Sequence, residues 1–328
     1  MKNYIFIPTY AGKASDIQAS LKIAQSLSQG YVPGLMLVIK GGVLGVGINS
    51  RVQYENLVRY QAEINNEVVI VMLSVFPLEE LDIIHHALFA VNHIKQGIDF
   101  TSNLPLGKRK ILTFHLNDYV SKEEFFSRSK KEWMEYFKQN IAPLLKEIGT
   151  YAREKNIEVK IETVPLPQFG DVPLTDKRTY LGVSLRELRS PFYLTHLCGF
   201  TEIREQNLGI CLDICHARTI YHLARSKEAK EFLFSEDIDF LKNTSLEEDV
   251  HSLLSTDLVH LNDGKGFYSR ESGIFYEGVA LGEGDIPNLR EIVMHLNGKK
   301  VPLVLEINEE DFEQRPHTRT SIAFLSSL

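Results

Sequence analysis

The chain has 328 residues, of which 44% are hydrophobic and 24% charged, and its formal net charge is −7. This composition is typical of a globular protein with a large core. The negative balance argues against a general attraction to nucleic-acid phosphates, although a local basic patch stays open. The sequence shows no signal-peptide pattern and no stretch of the ~20 apolar residues that a membrane span needs. We therefore expect a cytoplasmic protein.

The three cysteines are Cys198, Cys211 and Cys215, an odd number within one region. An odd, clustered set in a chain without a secretion signal favours reduced thiols over disulfides. A metal site with two cysteine ligands is the alternative, but two ligands alone make a poor site. We expect core cysteines.

Eight short apolar runs recur along the chain, rich in Val, Ile and Leu and with little alternation. Such runs are typical of parallel strands that are buried on both faces. The runs are Tyr4–Pro8, Leu35–Ile39, Val68–Leu73, Ile111–His115, Val159–Glu162, Gly209–Asp213, Leu258–Leu261 and Leu303–Ile307.

Amphipathic segments separate these runs and predict helices. They are Ala14–Ser28, Pro77–Ile94, a segment from Ser121 to Glu154 with a break at Pro143, Ile286–Leu296 and Thr318–Leu328. Eight strands that alternate with helices predict the α/β class and a (β/α)8 TIM barrel, a single domain over residues 1–328. A doubly wound open sheet is the alternative.

Ionisable residues stand where five consecutive predicted strands end: His115, Glu162, Asp213, His260 and Glu306. In such a barrel these ends meet at the mouth, where active sites are built. Buried carboxylates need a cation or a proton. We therefore predict one divalent metal ion (Mn, Zn, Co or Mg) at Glu162, Asp213, His260 and Glu306. Taken singly, an ion pair with a barrel lysine, a core histidine or a helix cap would also explain these residues.

Four segments carry a resemblance to a known family: Gly209–Ala217, His260–Asp263, Gly282–Ile286 and Val301–Glu306. They resemble the endonuclease IV branch of the xylose-isomerase-like barrels, a superfamily that also contains sugar and sugar-phosphate isomerases and epimerases. With His115 and Glu162 included, the resemblance spans residues 110–306. It implies that the four predicted metal ligands hold one ion.

The resemblance to endonuclease IV breaks down at its other two metals. His115 and His216 match ligands of its second and third ions. However, a histidine expected after the third strand is replaced around Ser74, and an Asp-x-His expected before the GEG turn is replaced by Tyr276–Gly278. A one-metal site fits proton transfer on a hydroxy-carbonyl substrate better than phosphodiester cleavage.

We therefore expect a metal-dependent sugar or sugar-phosphate isomerase or epimerase. The resemblance to epimerases implies Glu162 and Glu306 as the catalytic acid/base pair. The expected substrate-binding residues are His115, His216, Asp263 and Lys265. For Asp263 and Lys265, a supporting or surface role is an equal alternative. The alternative functions are an apurinic-site endonuclease and a barrel that binds a ligand without catalysis.

Two long loops, Pro165–Ser184 and Gly264–Gly284, are expected to lie over the mouth. Gly41–Gly47 is either a mobile substrate loop, a plain turn or a phosphate-cradling loop without the P-loop lysine spacing. We expect a small-molecule carbohydrate as the partner, and neither nucleic acid nor a membrane. The sequence does not determine the oligomeric state, and a homo-oligomer is one of the alternatives.

Overall fold

Eight parallel strands close into a barrel in this computed structural model, which describes residues 2–10, 14–27, 30–39, 58–60, 62–63, 65, 67–74, 77–165, 178–192, 203–265 and 276–328. The strands are β1 Asn3–Tyr10, β2 Tyr31–Ile39, β3 Val68–Leu73, β4 Arg109–His115, β5 Glu158–Glu162, β6 Gly209–Asp213, β7 Leu258–Leu261 and β8 Leu303–Leu305. Each pairs in parallel with its neighbours in chain order, and β8 pairs with β1. The predicted barrel is confirmed, and every predicted strand overlaps an observed one.

The strands are apolar on both faces because each face packs against a different part of the core. All six residues of β3 are buried. Inward-facing side chains, among them Phe6, Met36 and Ile111, fill the barrel. Outward-facing side chains pack against the surrounding helices. This double burial explains why the strands barely alternate in hydrophobicity.

The helices of the described residues surround the barrel, and none of them is long and apolar enough to cross a membrane. They are α1 Ala14–Ser26, α2 Ala87–Asn103, α3 Lys122–Phe126, α4 Lys130–Tyr136, α5 Ala142–Glu154, α6 Ile214–Arg225, α7 Ala229–Phe232, α8 Ser235–Lys242, α9 Leu246–Ser252, α10 Leu289–Lys299 and α11 Pro316–Ser326.

The helix predicted over Pro77–Ile94 is wrong in its first half. Leu78–Leu81 forms a short 3-10 turn, and α2 begins only at Ala87. The carboxylate of Asp82 accepts hydrogen bonds from the backbone N–H groups of Ile84 and His85, at 2.8 and 2.9 Å. This local Asp turn replaces helical hydrogen bonds, as short acidic side chains often do.

The long helix predicted from Ser121 to Glu154 is interrupted, but not first at Pro143. Ser121 caps α3 as expected, and Ser129 then begins α4 with a reciprocal capping box to Glu132. A π-helical turn over Phe137–Ile141 follows, and Pro143 lies in the first turn of α5, where a proline is tolerated. The second serine cap is a start signal that the sequence prediction overlooked.

The segment 178–192 packs against the chain that follows β3 and β4. A small apolar cluster joins the two parts: Leu78, Tyr119, Leu185 and Leu188. The buried carboxylate of Asp118 accepts hydrogen bonds from Ser190 Oγ at 2.6 and 2.7 Å and from the N–H of Phe192 at 2.9 Å. Tyr180 donates a hydrogen bond to Asp82. Part of the long loop after β5 is thus fixed beside the barrel mouth.

Asp118→Asn is expected to gain stability relative to the wild type as the pH rises. Burial raises the pKa of Asp118 to about 6, above its ordinary value in the unfolded chain. Protons therefore bind the folded state more tightly, and the unfolding free energy of the wild type falls between about pH 4 and about pH 6. The amide of the variant does not titrate. The unfolding free energy of the variant should therefore rise relative to that of the wild type by up to about 3 kcal/mol. Urea unfolding across this pH range measures it.

Asp82→Asn provides the control with the opposite sign. Although burial raises the pKa of Asp82, hydrogen bonds from His85 and Tyr180 hold it below its usual value. Asp82 therefore contributes stability at pH values above about 4 that is lost as the pH falls. The variant should therefore lose stability relative to the wild type as the pH rises toward about 4, and this difference should stay constant between about pH 4 and pH 6, where that of Asp118→Asn changes. Parallel pH profiles for the two variants across both windows would contradict both assignments.

Candidate active site

Four side chains meet at the mouth because they stand at the ends of β5 to β8. Glu162 and Asp213 are the last residues of β5 and β6, His260 lies in β7, and Glu306 directly follows β8. The strand register sets Asp213 beside His260. One ligand atom from each of the four residues lies within 4.8 Å of the other three. The structure thus brings together the complete predicted metal set.

Glu162 lies at the centre of this set and is fully buried. Its Oε1 lies 2.9 Å from His115 Nε2 and 3.0 Å from His260 Nδ1. Although burial raises the pKa of Glu162, the charges of these two histidines hold it well below its usual value. The barrel lysine Lys160 pairs with Glu158 at 2.9 Å. The alternative of a lysine ion pair for Glu162 therefore finds no support.

Asp213 is both a helix cap and a member of the cluster. Its Oδ1 accepts a hydrogen bond from the N–H of His216 at 2.8 Å and so caps α6. Its Oδ2 accepts from Asn262 Nδ2 at 2.7 Å. Burial raises the pKa of Asp213 to about 6, and the neighbouring carboxylates of Glu306 and Glu162 add to that rise. So many buried carboxylates are costly without a compensating positive charge.

These residues fit a divalent ion. Three carboxylates and one imidazole form a mostly hard donor set of the kind that binds Mn, Co, Zn or Mg. Glu306 Oε2 is buried, has no hydrogen-bond partner within the described part of the chain and contacts His260 Nδ1, so it converges on the same point as Glu162 Oε1. The carboxylate repulsion that raises the pKa of Asp213 would be relieved by a cation there.

His115 and His216 lie on the side of the mouth next to this set, with ring centroids 5.2 Å apart. His216 Nδ1 donates a hydrogen bond to the carbonyl oxygen of Thr163 at 2.7 Å, and its Nε2 lies 3.3 Å from a carboxylate oxygen of Glu277. Ligand atoms of His115, Glu162 and His216 also lie within 4.8 Å of one another. Both histidines are thus placed beside the predicted metal position, and their contact with substrate stays a prediction.

Glu277 is a mouth residue that the sequence analysis missed. Its Oε2 is buried and lies 3.3 Å from His216 Nε2, and among the described residues it has no hydrogen-bond partner. Asn308 holds the backbone in place, because its Nδ2 donates to Glu277 O at 2.8 Å and its N–H to Gly278 O at 2.7 Å. The resemblance to endonuclease IV predicts an Asp-x-His at Tyr276–Gly278, which this sequence lacks. The carboxylate that is present there, Glu277, has no counterpart in that pattern.

Asp263 organises the turn after β7. Its carboxylate oxygens accept hydrogen bonds from four backbone N–H groups, those of Gly264, Gly282, Gly284 and Ile286. The helix predicted from Ile286 begins only at Leu289, because Asn288 directly before it adopts a left-handed backbone conformation. Lys265 is exposed at the end of the same segment. Substrate binding by Asp263 and Lys265 stays a prediction. For Asp263, the four observed hydrogen bonds support the alternative, a structural role in the turn.

Gly284→Ala is expected to destabilise the protein by about 1–3 kcal/mol, because the turn has no room for a side chain. A Cβ atom there would lie 2.2 Å from Asp263 Oδ1 and 2.3 Å from Gly264 O. Gly298→Ala in α10 is the matched control, since a Cβ there meets nothing within 4 Å. Alanine at residue 298 should leave stability unchanged or raise it by up to about 1 kcal/mol. Equal urea midpoints for the two variants would contradict the close packing of Gly284 against Asp263 and Gly264.

Several predicted features lie outside the described residues. These are Gly41–Gly47, Cys198 and the central parts of the two long loops, residues 166–177 and 266–275. Cys211 and Cys215 are described, and both are buried free thiols, as predicted.

Comparisons with known proteins agree with the fold. The family described as xylose isomerase-like TIM barrel matches residues 51–328. A D-tagatose 3-epimerase-like protein is 18% identical with a TM-score of 0.54, and the match covers 99% of this chain and 96% of that one. The D-allulose 3-epimerase from Methylomonas sp., solved in complex with D-allulose, is 12% identical with a TM-score of 0.53 and coverages of 100% and 98%.

A third solved structure is a xylose isomerase-like TIM barrel protein from Mycobacterium smegmatis in complex with magnesium. It is 12% identical with a TM-score of 0.50, and the match covers 98% of this chain and 96% of that one. No curated protein sequence matches the chain.

Proposed function

We propose that the chain, which belongs to the xylose isomerase-like TIM barrel family, is a metal-dependent isomerase or epimerase of a sugar or sugar phosphate. The observation that carries the proposal is the convergence of Glu162, Asp213, His260 and Glu306 at the barrel mouth. The similar D-allulose 3-epimerase binds a ketose, and the similar mycobacterial protein binds magnesium. We extend both properties to this chain as part of the proposal.

The two glutamates of the set are suited to move a proton to and from carbon. Glu162 is held ionised by the histidines beside it, which is the protonation state that a base requires. The side chain of Glu306 is 35% exposed, so it is open to the mouth. A bound divalent ion would polarise the substrate carbonyl and make the adjacent C–H more acidic. One carboxylate takes the proton from that carbon, and the other returns a proton to it.

His216 and Glu277 are placed to orient the substrate. The Nε2 of His216 and the Oε2 of Glu277 lie 3.3 Å apart beside the four-residue set, so the first can donate a hydrogen bond to a sugar hydroxyl and the second can accept one. The hydrogen bond from His216 to the carbonyl of Thr163 fixes the orientation of the ring. Such positioning keeps the reacting carbon near the two glutamates.

One observation favours the alternative of an apurinic-site endonuclease. His115, Glu162 and His216 bring three ligand atoms within 4.8 Å, which is a second potential metal group that shares Glu162 with the first. Phosphodiester cleavage in two-metal sites uses such neighbouring ions to stabilise the attacking and leaving oxygens. Abasic-DNA cleavage is therefore tested beside the sugar reaction.

The test is solvent deuterium incorporation into a panel of ketohexoses, ketopentoses and their phosphates. Metal-free protein is loaded in turn with Mn²⁺, Co²⁺, Mg²⁺ and Zn²⁺, and an abasic duplex is incubated with the same samples. Metal-dependent incorporation into a sugar without nicking of the duplex supports the proposal. Metal-dependent nicking at an enzyme-like rate, with no exchange on any sugar, makes the endonuclease the correct function.

A further inference from the structure

A buried cysteine lies one layer below the four-residue set. Cys211 stands two residues before Asp213 on β6, so it faces the same side of the strand, and it packs inside the barrel with Met72 and Ile111. Its sulfur, a carboxylate oxygen of Glu162 and a ring nitrogen of His260 lie within 4.8 Å of one another. All three residues are 0% exposed.

Glu162 and His260 each carry a buried ligand atom without an oxygen or nitrogen partner among the described residues. These atoms are Glu162 Oε2 and His260 Nε2, whereas Glu162 Oε1 and His260 Nδ1 lie 3.0 Å from each other. Proteins rarely leave buried polar atoms without a partner, and such atoms often mark the place of an ion. These two atoms belong to the residues that flank the thiol of Cys211. The thiol is therefore one of three neighbouring groups that could bind a metal ion.

We propose that Glu162, Cys211 and His260 form a second metal position, selective for a soft divalent cation such as Zn²⁺ or Cd²⁺, beneath the four-residue set. A thiolate prefers softer ions, whereas carboxylates alone suit Mn²⁺ and Mg²⁺. Binding releases the thiol proton to solvent, and the thiolate becomes the ligand. We call this the lower position, and the set of Glu162, Asp213, His260 and Glu306 the upper position.

The two positions share Glu162 and His260, which has a functional consequence. An ion in the lower position draws both shared residues away from the upper one, where only Asp213 and Glu306 remain. Soft cations should therefore compete with the ion in the upper position, whereas the binding of hard cations should not depend on Cys211. This consequence can be tested by metal binding alone, whatever reaction the protein catalyses.

Cys215 is a matched control. It is also buried, four residues further along the chain, but its Sγ donates a hydrogen bond to the carbonyl oxygen of Asp263 at 3.0 Å. Among the described residues it belongs to no group of potential metal ligands. Because the chain has only three cysteines, paired substitutions can leave Cys211 or Cys215 as the single thiol.

The experiment titrates metal-free protein with Cd²⁺ under anaerobic conditions and records the ultraviolet sulfur-to-cadmium absorption. The variant Cys198→Ser/Cys215→Ser, with Cys211 alone, should show the band and saturate near one equivalent. The variant Cys198→Ser/Cys211→Ser, with Cys215 alone, should lack it. Glu306→Gln should keep the band, since Glu306 belongs only to the upper position. Mn²⁺ binding, followed by electron paramagnetic resonance, should survive the loss of Cys211.

The proposal is overturned if the Cys211-only variant shows no band or if the Cys215-only variant keeps it. X-ray absorption of the cadmium-loaded wild type guards against a variant that fails to fold. A sulfur neighbour of cadmium in the wild type and in Cys198→Ser/Cys215→Ser supports the lower position, and a shell of nitrogen and oxygen alone refutes it.

Discussion

Glu306→Gln is expected to lower the rate of deuterium exchange into the substrate by at least about 100-fold. Glutamine keeps the size of the side chain but cannot take up a proton, so the acid/base pair loses one member. Glu306 follows β8 directly, and its side chain is 35% exposed, so the change should leave the core undisturbed. The exchange rate at saturating metal measures the loss separately from metal affinity.

Glu162→Gln is expected to combine the same catalytic loss with weaker metal binding. The Oε1 of Glu162 accepts contacts from His115 and His260 in a fully buried position. An uncharged amide there removes the negative charge that both histidines face. The metal content of Glu162→Gln should fall, whereas Glu306→Gln should keep more of its metal at high metal concentration.

Glu310→Gln is the control for both glutamate variants. Glu310 is exposed in the loop that follows β8 and lies on the rim with Asn308, outside the four-residue set. Its replacement should leave the exchange rate within about twofold of the wild type, since surface substitutions rarely have large effects. If Glu306→Gln keeps more than about a tenth of the wild-type rate, the acid/base assignment is wrong.

The barrel and the metal set could be predicted because one physical cause lies behind both. Parallel strands buried on two faces give continuous apolar runs, and a polar residue at the end of such a run stands out. The closed barrel then puts all strand ends on one rim. Glu162, Asp213, His260 and Glu306 could therefore all be predicted from strand position, and the structure places Glu306 directly after β8.

The rest depended partly on local signals that the sequence pattern hides and partly on contacts between residues far apart in the sequence. The turn at Asp82 and the second cap at Ser129 are local, but each competes with a helical pattern that looks continuous. Asp263 binds the N–H groups of Gly282 and Gly284, about twenty residues on, which no strand pattern reveals. Glu277 lies beside His216 in a segment whose backbone accepts a hydrogen bond from Asn308, about thirty residues on.

His260→Ala is expected to remove most of the bound metal. His260 is fully buried, and its Nδ1 contacts carboxylate oxygens of both Glu162 and Glu306. Without the imidazole, the set loses its only nitrogen donor and leaves three carboxylates around an unfilled space. Even changes behind a metal ligand commonly cost 10- to 100-fold in affinity, so loss of a ligand should cost about 100-fold or more.

The measurement is metal analysis of protein purified without chelator, with about one equivalent expected in the wild type. His317→Ala is the control, because His317 is about half exposed on the rim, 3.9 Å from Glu283 and outside the four-residue set. Its metal content should match the wild type. Retention of full metal content in His260→Ala, with thermal unfolding unchanged, would show that the ion binds elsewhere. Loss in both variants would point instead to a general effect of histidine removal on folding, because of these two histidines it is His260 that contacts Glu162 and Glu306.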